Sequence, residues 1–145
     1  MRKHTNALFV LGTLLLSVTL CAPIQAQDKS TASADAKVYI VSPADGAVVS
    51  SPVKVIFGLS SMGVAPAGTN IENTGHHHLI IDAPLPDVYQ PIPADDNHKH
   101  FGKGQTETTI ELAPGSHTLQ LLVGDWLHIP HEKPVASEQI TITVQ

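Results

Sequence analysis

Residues 105–125 read QTETTIELAPGSHTLQLLVGD, which is two strand-like runs joined by a short turn. Both runs are rich in Thr, Ile, Leu and Val, residue types that favour β-structure. The segment APGS between them contains proline and glycine, which commonly interrupt regular elements at turns. The stretch therefore predicts an antiparallel hairpin, and it indicates an all-β fold.

The same pattern continues on both sides of this stretch, and no segment shows a convincing helical repeat of apolar residues over three turns. Short runs of this number and spacing are typical of an immunoglobulin-like antiparallel β-sandwich of about seven strands. The proline-rich segment 83–104 is predicted to cross from one end of the sandwich to the other without pairing as a strand. Six strands are predicted, at 37–42, 52–60, 76–82, 105–112, 117–124 and 135–144.

The N-terminal residues are predicted to direct export. MRKH is basic, an apolar run follows, and Ala26 supplies a small residue at the expected cleavage point. The alternative of lipid attachment at Cys21 is disfavoured because Leu20, directly before it, is large. The apolar run is too short to span a bilayer comfortably, so integration into the membrane is not expected. The sequence thus predicts a signal peptide at 1–26, a flexible tether at 27–36, a single β-sandwich domain at 37–145, and a periplasmic or secreted location.

Composition narrows the classes of partner and site. Thirteen acidic residues against eight basic ones give a net charge of −5, which argues against nucleic acid and anionic membranes as partners. The single cysteine lies in the predicted signal peptide, so a soft-metal site would use histidine, methionine and carboxylate ligands. The segment FGKGQTE does not match a phosphate-binding loop, and no organic cofactor is predicted.

Strand directions bring three groups of histidines together. Counted along the predicted sandwich, residues 76–78, 98–100 and 128–131 all fall at one end, and His117 falls at the other. Alternation along the strand at 76–82 puts His76 and His78 on one face and His77 on the core face. The His-x-His spacing lets two imidazoles reach one ion, and neutral imidazole binds zinc and copper well. The candidate metal ligands are therefore His76, His78, His98, His100, His128 and His131.

Three functions from different classes are compatible with these residues. The favoured one is a copper- or zinc-binding module for binding, buffering or delivery, whose partner is a metal ion or small ligand. The alternative is a non-metal ligand-binding or protein-interaction domain whose histidines form a structural hydrogen-bond network. Catalysis is disfavoured because no HExxH, Ser-His-Asp or paired-carboxylate motif is present. No protein partner is indicated.

The motifs GHHHLIID, HKHFGKGQTETTIEL and GSHTLQLLVGDWLHIPH, with a closing SEQITITV, resemble the domain-of-unknown-function family 4399. The resemblance extends from Pro43 to Val144. It implies a small exported bacterial domain and no particular activity, so the function has to be argued from the site.

Overall fold

A computed structural model describes residues 29–145, and every regular element in that range is a β-strand. The predicted signal peptide at 1–26 lies outside the described residues. Within 29–145, no helix has the length and apolar character needed to cross a bilayer. The strands are β1 (Lys37–Ser42), β2 (Val48–Val49), β3 (Val53–Ser60), β4 (Gly63–Val64), β5 (Thr74–Ile81), β6 (His98–His100), β7 (Glu107–Ile110), β8 (Gly115–Gly124) and β9 (Ile140–Val144).

The strands form two sheets. One sheet has the order β1-β3-β7, and the other has the order β2-β9-β8-β5-β4, with β6 also paired to β5, on the edge opposite β8. All pairs are antiparallel except β2 with β9 and β4 with β5, which are short and parallel. The prediction of an all-β, immunoglobulin-like sandwich is confirmed. All six predicted strands are present, and the three additional ones are only two or three residues long.

The main core lies between the two sheets. Most of its members are inward-facing residues of the longer strands, as the alternation of apolar and polar residues requires. His77 lies on this face of β5, where its ring centroid is 5.2 Å from that of Phe57. The buried members of the core are Val38, Val53, Val55, Phe57, Leu79, Ile81, Phe101, Ile110, Leu119, Leu121, Val123, Val135, Ile142 and Val144.

Two local predictions were wrong. The runs joined by APGS do not pair as a hairpin, because β7 pairs with β3 in one sheet while β8 pairs with β5 and β9 in the other. The turn therefore carries the chain between the sheets. The crossing segment 83–104 also does not stay unpaired along its whole length, because residues 98–100 form β6 against β5.

The crossing segment covers the outer face of β5. Ile92 on this segment packs with Ile80 of β5 and Leu122 of β8, and these three buried residues form a second, smaller core. Strand β5 is consequently buried on both faces, with seven consecutive buried residues from Gly75 to Ile81. Polar side chains on its outer face are therefore enclosed by protein.

Residues 29–36, part of the segment predicted to be a flexible tether, contact the end of the domain that carries the histidine triplet. The Ser30 hydroxyl donates to Asp125 at 2.8 Å, and the Ser33 backbone N–H donates to the Asn73 side chain at 2.8 Å. The Glu132 backbone N–H donates to the Ser30 carbonyl at 2.9 Å. These bonds link the segment to the loops that flank β5 and β8.

Candidate metal centre

Strand β5 contributes the two most enclosed imidazoles of the site. His76 and His78 point to the outer face of the sheet, and their exposed fractions are 1% and 0%. Their ring centroids are 4.8 Å apart, as expected for alternate residues on one face of a strand. The alternation predicted from the sequence therefore holds for this pair.

Strand β6 adds His100 through its register with β5. His100 is the direct antiparallel partner of His78, and directly opposed residues project to the same face of a sheet. The His100 ring centroid lies 5.1 Å from that of His78 and 5.0 Å from that of His76. His100 is exposed, so the cluster can be reached from this side.

The loop after β8 adds His128, and Asp125 holds that loop in shape. The Asp125 carboxylate accepts the backbone N–H groups of Leu127 and Ile129 at 2.8 and 3.0 Å, and the His128 N–H donates to the Asp125 carbonyl at 2.9 Å. His128 has a φ of 66°, in the left-handed region that non-glycine residues rarely occupy. Such backbone conformations cost about 1–3 kcal/mol and concentrate at functional sites. The strained backbone turns His128 toward the histidines of β5.

The four rings form one compact group. Ligand atoms of His76, His100 and His128 lie within 4.8 Å of one another. The His78 ring packs against these three from the interior side, but its nitrogens lie outside the 4.8 Å set. The ring centroid of His76 lies 4.8 Å from that of His78 and 5.0 Å from those of His100 and His128. The remaining centroid distances are 5.1 Å for His78 and His100, 6.2 Å for His78 and His128, and 4.6 Å for His100 and His128.

The ring nitrogens of the two inner histidines are buried without partners. Both nitrogens of His76 and both nitrogens of His78 have no hydrogen-bond partner among residues 29–145. A buried polar group left unpaired costs about 1–3 kcal/mol. The arrangement therefore fits a bound cation, which would take up lone pairs that the described part of the protein leaves free.

The protonation states also suit metal binding. Burial and the nearby His100 and His128 together lower the pKa of His76 to about 4, although Asp125 opposes them. Burial and the neighbouring imidazoles lower the pKa of His78 to about 2. Burial and His128 also lower the pKa of His100. Since metals bind the neutral imidazole, these three rings are in the metal-binding protonation state at neutral pH.

Two glycines make room for the rings. A Cβ on Gly124, which lies opposite His76 across β5 and β8, would stand 2.8 Å from Cε1 of His78. A Cβ on Gly102 would stand 2.3 Å from Cε1 and 2.5 Å from Nε2 of His100. Neither glycine was predicted from the sequence to line the site. The sequence signal for both was a glycine close to a histidine. Gly102 lies two residues after His100, and Gly124 lies directly before the loop that carries His128.

The other two predicted ligands lie apart from the four-ring group. His98 stands opposite Ile80, and its Nδ1 bonds the Asp95 carboxylate at 2.8 Å. His131 is fully buried, its Nε2 donates to the Thr74 carbonyl at 3.2 Å, and its Cε1 would be 3.1 Å from a Cβ on Gly75. Gly75 shares the core face of β5 with His77, so His131 lies on the opposite side of the sheet from the group.

His77 and His117 occupy the places that the strand pattern predicts for them. The His77 ring is fully buried in the main core, and burial lowers its pKa although the Gln105 backbone opposes this effect. Neither ring nitrogen of His77 meets a partner at hydrogen-bond geometry within the described residues. His117 lies at the opposite end of β8, where its ring bonds Asp82 at 2.7 Å and the Ala113 carbonyl at 2.8 Å.

Comparison with known families identifies the domain. A family model described as "Domain of unknown function (DUF4399)" matches residues 55–145. The chain belongs to this family. The resemblance found in the motifs is thus confirmed, and the DUF4399 match includes all four clustered histidines together with Gly102, Gly124 and Asp125. No curated protein and no solved structure matches the chain. The DUF4399 name carries no activity, so the function is argued from the site.

Proposed function

We propose that this domain binds a metal ion, zinc or copper, through His76, His100 and His128, with His78 enclosed beside them. The observation that carries the proposal is the burial of four unpaired ring nitrogens on His76 and His78, directly beside two further imidazoles. Imidazole is a good ligand for both metals, and three or four such ligands suffice for a site. The proposed role is binding, buffering or delivery of the ion.

The rival explanation is a structural network of hydrogen-bonded histidines. Such a network needs ring nitrogens that donate to or accept from protein groups, as His98 does with Asp95 and His117 does with Asp82. The clustered rings of His76 and His78 make no such bonds within residues 29–145. Ordered water could fill the cluster instead of an ion, and a metal titration separates these two cases.

The test is calorimetric titration of protein purified without an affinity tag, with zinc(II) and copper(II) at pH 7.5. We expect one ion per chain to bind more tightly than about 100 μM, which corresponds to about −5.5 kcal/mol. The ion should also stabilise the fold by about 2.7 kcal/mol at a hundredfold excess over Kd, because it binds only the folded state.

A matched pair of variants on β6 supplies the control. His100→Ala removes an exposed member of the cluster and should weaken binding. His98→Ala removes a histidine from the same face of the same strand, one that bonds Asp95 instead, and should leave binding unchanged. Equal effects of the two substitutions, or wild-type protein that binds neither metal below about 100 μM, would contradict the proposal.

We also propose that the protein is exported and acts in the periplasm or outside the cell. The support is the basic, apolar and small-residue order of residues 1–26. N-terminal sequencing of the protein recovered from the extracytoplasmic fraction should begin at or near Gln27. Recovery of a lipid-modified Cys21 in the membrane fraction would contradict this assignment.

A further inference from the structure

The three converging histidines leave the proposed ion with an incomplete set of protein ligands. Ligand atoms of His76, His100 and His128 lie within 4.8 Å of one another, and no further histidine, cysteine or carboxylate among residues 29–145 joins this set. Zinc held by three protein ligands takes water or a substrate in its fourth position. An ion bound here therefore has one coordination position open to a ligand from outside the protein.

Other possible ligands at this end of the domain are engaged elsewhere. One oxygen of the Asp125 carboxylate accepts the backbone N–H groups of Leu127 and Ile129. Its second oxygen accepts the hydroxyl of Ser30. Met62 packs against the main core, whereas the histidine group lies on the outer face of β5. These side chains would have to leave their present partners to close the fourth position.

The charge of the site favours an anion in that position. The three ligating imidazoles are neutral, so a divalent ion would keep both of its positive charges. His76 is only 1% exposed, so one side of the ion would be shielded from water. Charges buried in protein are normally paired, because attraction between opposite charges is stronger where the dielectric constant is low.

His78 supplies a hydrogen-bond donor beside the ion. Its ring centroid lies 4.8 Å from that of His76 and 5.1 Å from that of His100, yet both of its nitrogens are buried without a partner among residues 29–145. A neutral imidazole carries one N–H donor, and an anion offers the acceptor that this donor lacks. His100 is exposed, which gives a ligand access to the group from solvent.

We propose that the metal-loaded site binds a small anion as the fourth ligand of the ion, with His78 donating a hydrogen bond to it. This inference rests on the proposed metal binding. The anion has to be small because the interior side is closely packed. A Cβ on Gly124 would stand 2.8 Å from Cε1 of His78 and 3.1 Å from Cδ1 of Ile92.

The experiment uses cobalt(II) as the bound ion and azide as the anion, in buffer without chloride. Cobalt(II) binds the same kinds of ligand as zinc(II), and its visible absorption changes with the number and type of its ligands. We expect azide to cause a saturable change in the spectrum. His78→Phe keeps a ring of similar size without a donor, so it should retain cobalt(II) and bind azide about tenfold more weakly or worse. His98→Ala should match the wild type in both respects.

Calorimetric titration of azide into the zinc(II) form of the wild type gives a second readout, which does not depend on the folding of a variant. A metal-loaded protein that shows neither a spectral change nor heat with azide would overturn the inference and leave metal binding intact. Equal azide affinity in the wild type and in folded His78→Phe would also overturn it, as would loss of cobalt(II) binding in folded His78→Phe. Absence of binding by zinc(II), copper(II) and cobalt(II) alike would overturn the proposed function as well.

Discussion

The imidazoles of His76 and His78 are buried in the neutral form, and this couples the stability of the metal-free fold to pH. The unfolded chain takes up a proton on each histidine near pH 6.5, whereas burial lowers the pKa of His76 to about 4 and that of His78 to about 2 in the folded state. Below pH 6.5 the unfolded state therefore binds more protons than the folded state. The stability that depends on these two neutral rings is fully present above pH 6.5 and declines as the pH falls toward 4 and below.

Denaturant unfolding in the presence of a chelator measures this coupling. Between pH 7.5 and 4, the free energy of unfolding of the metal-free protein should fall by on the order of 3 kcal/mol from His76 alone. The double variant His76→Ala, His78→Ala should show a much flatter dependence over the same range. An equally steep decline in the double variant would place the acid sensitivity elsewhere.

His117 should show the opposite dependence on pH. Its hydrogen bond to Asp82 raises its pKa, with a further contribution from the Ala113 carbonyl. The folded state therefore holds this proton more tightly, so the stabilisation is fully present below pH 6.5 and is lost as the pH rises through the raised pKa. The His117→Ala substitution should reduce stability at pH 6 by at most about 1 kcal/mol, since the pair is accessible to solvent. The loss should be smaller at pH 9, and metal affinity should not change.

At the scale of the elements, the sequence predicted the faces of the strands better than their registers. Alternation along β5 separated His76 and His78 from His77 correctly, because a strand has a fixed period of two. It did not reveal β6, which is three residues long and follows a proline-rich segment. Only the pairing register shows that His100 meets His78 while His98 meets Ile80.

The loop after β8 shows the same limit. His128 and His131 were predicted to share a site because they are close in sequence, but a loop has no period that assigns its side chains to a face. Asp125 and the left-handed backbone at His128 direct that residue to the outer face. The bridge between Pro130 and Gly124 leads into His131, which lies on the core side.

Gly102 leaves the space that the His100 ring of β6 occupies beside the cluster. The substitution Gly102→Ala places a Cβ on the His100 ring, which is exposed and free to rotate outward. The fold should persist, and zinc affinity should fall about 10- to 100-fold, the range seen when the support of a metal ligand is disturbed. The measurement is zinc titration of Gly102→Ala, His100→Ala and the double variant.

The double variant shows whether the glycine acts through the histidine. If it does, adding Gly102→Ala to His100→Ala should cause little further loss, so the two effects should not add. Additive losses would mean that Gly102 supports binding by some other route, such as the backbone bond between Ala67 and Gly102.

At the scale of the whole molecule, the topology brings the histidines together. The antiparallel pairing of β5 with β8 fixes His76 beside Gly124 and keeps His117 at the far end, as the count of strand directions predicted. Segments distant in sequence then meet at one end of the sandwich through backbone bonds, from Ala67 to Gly102, from Gly68 to Trp126 and from Ile92 to His128. The composition of those loops gave no indication of these bonds, because they depend on where the sheets place the loop ends.

The central claim is that one ion lies among His76, His100 and His128, and anomalous diffraction at the zinc edge from zinc-soaked crystals tests it most directly. The predicted result is a single strong peak about 2.0–2.1 Å from one nitrogen each of His76, His100 and His128. His117, which bonds Asp82, and His98, which bonds Asp95, should carry no peak. Peaks confined to those exposed pairs, with ordered water or nothing at the four-ring group, would contradict the claim.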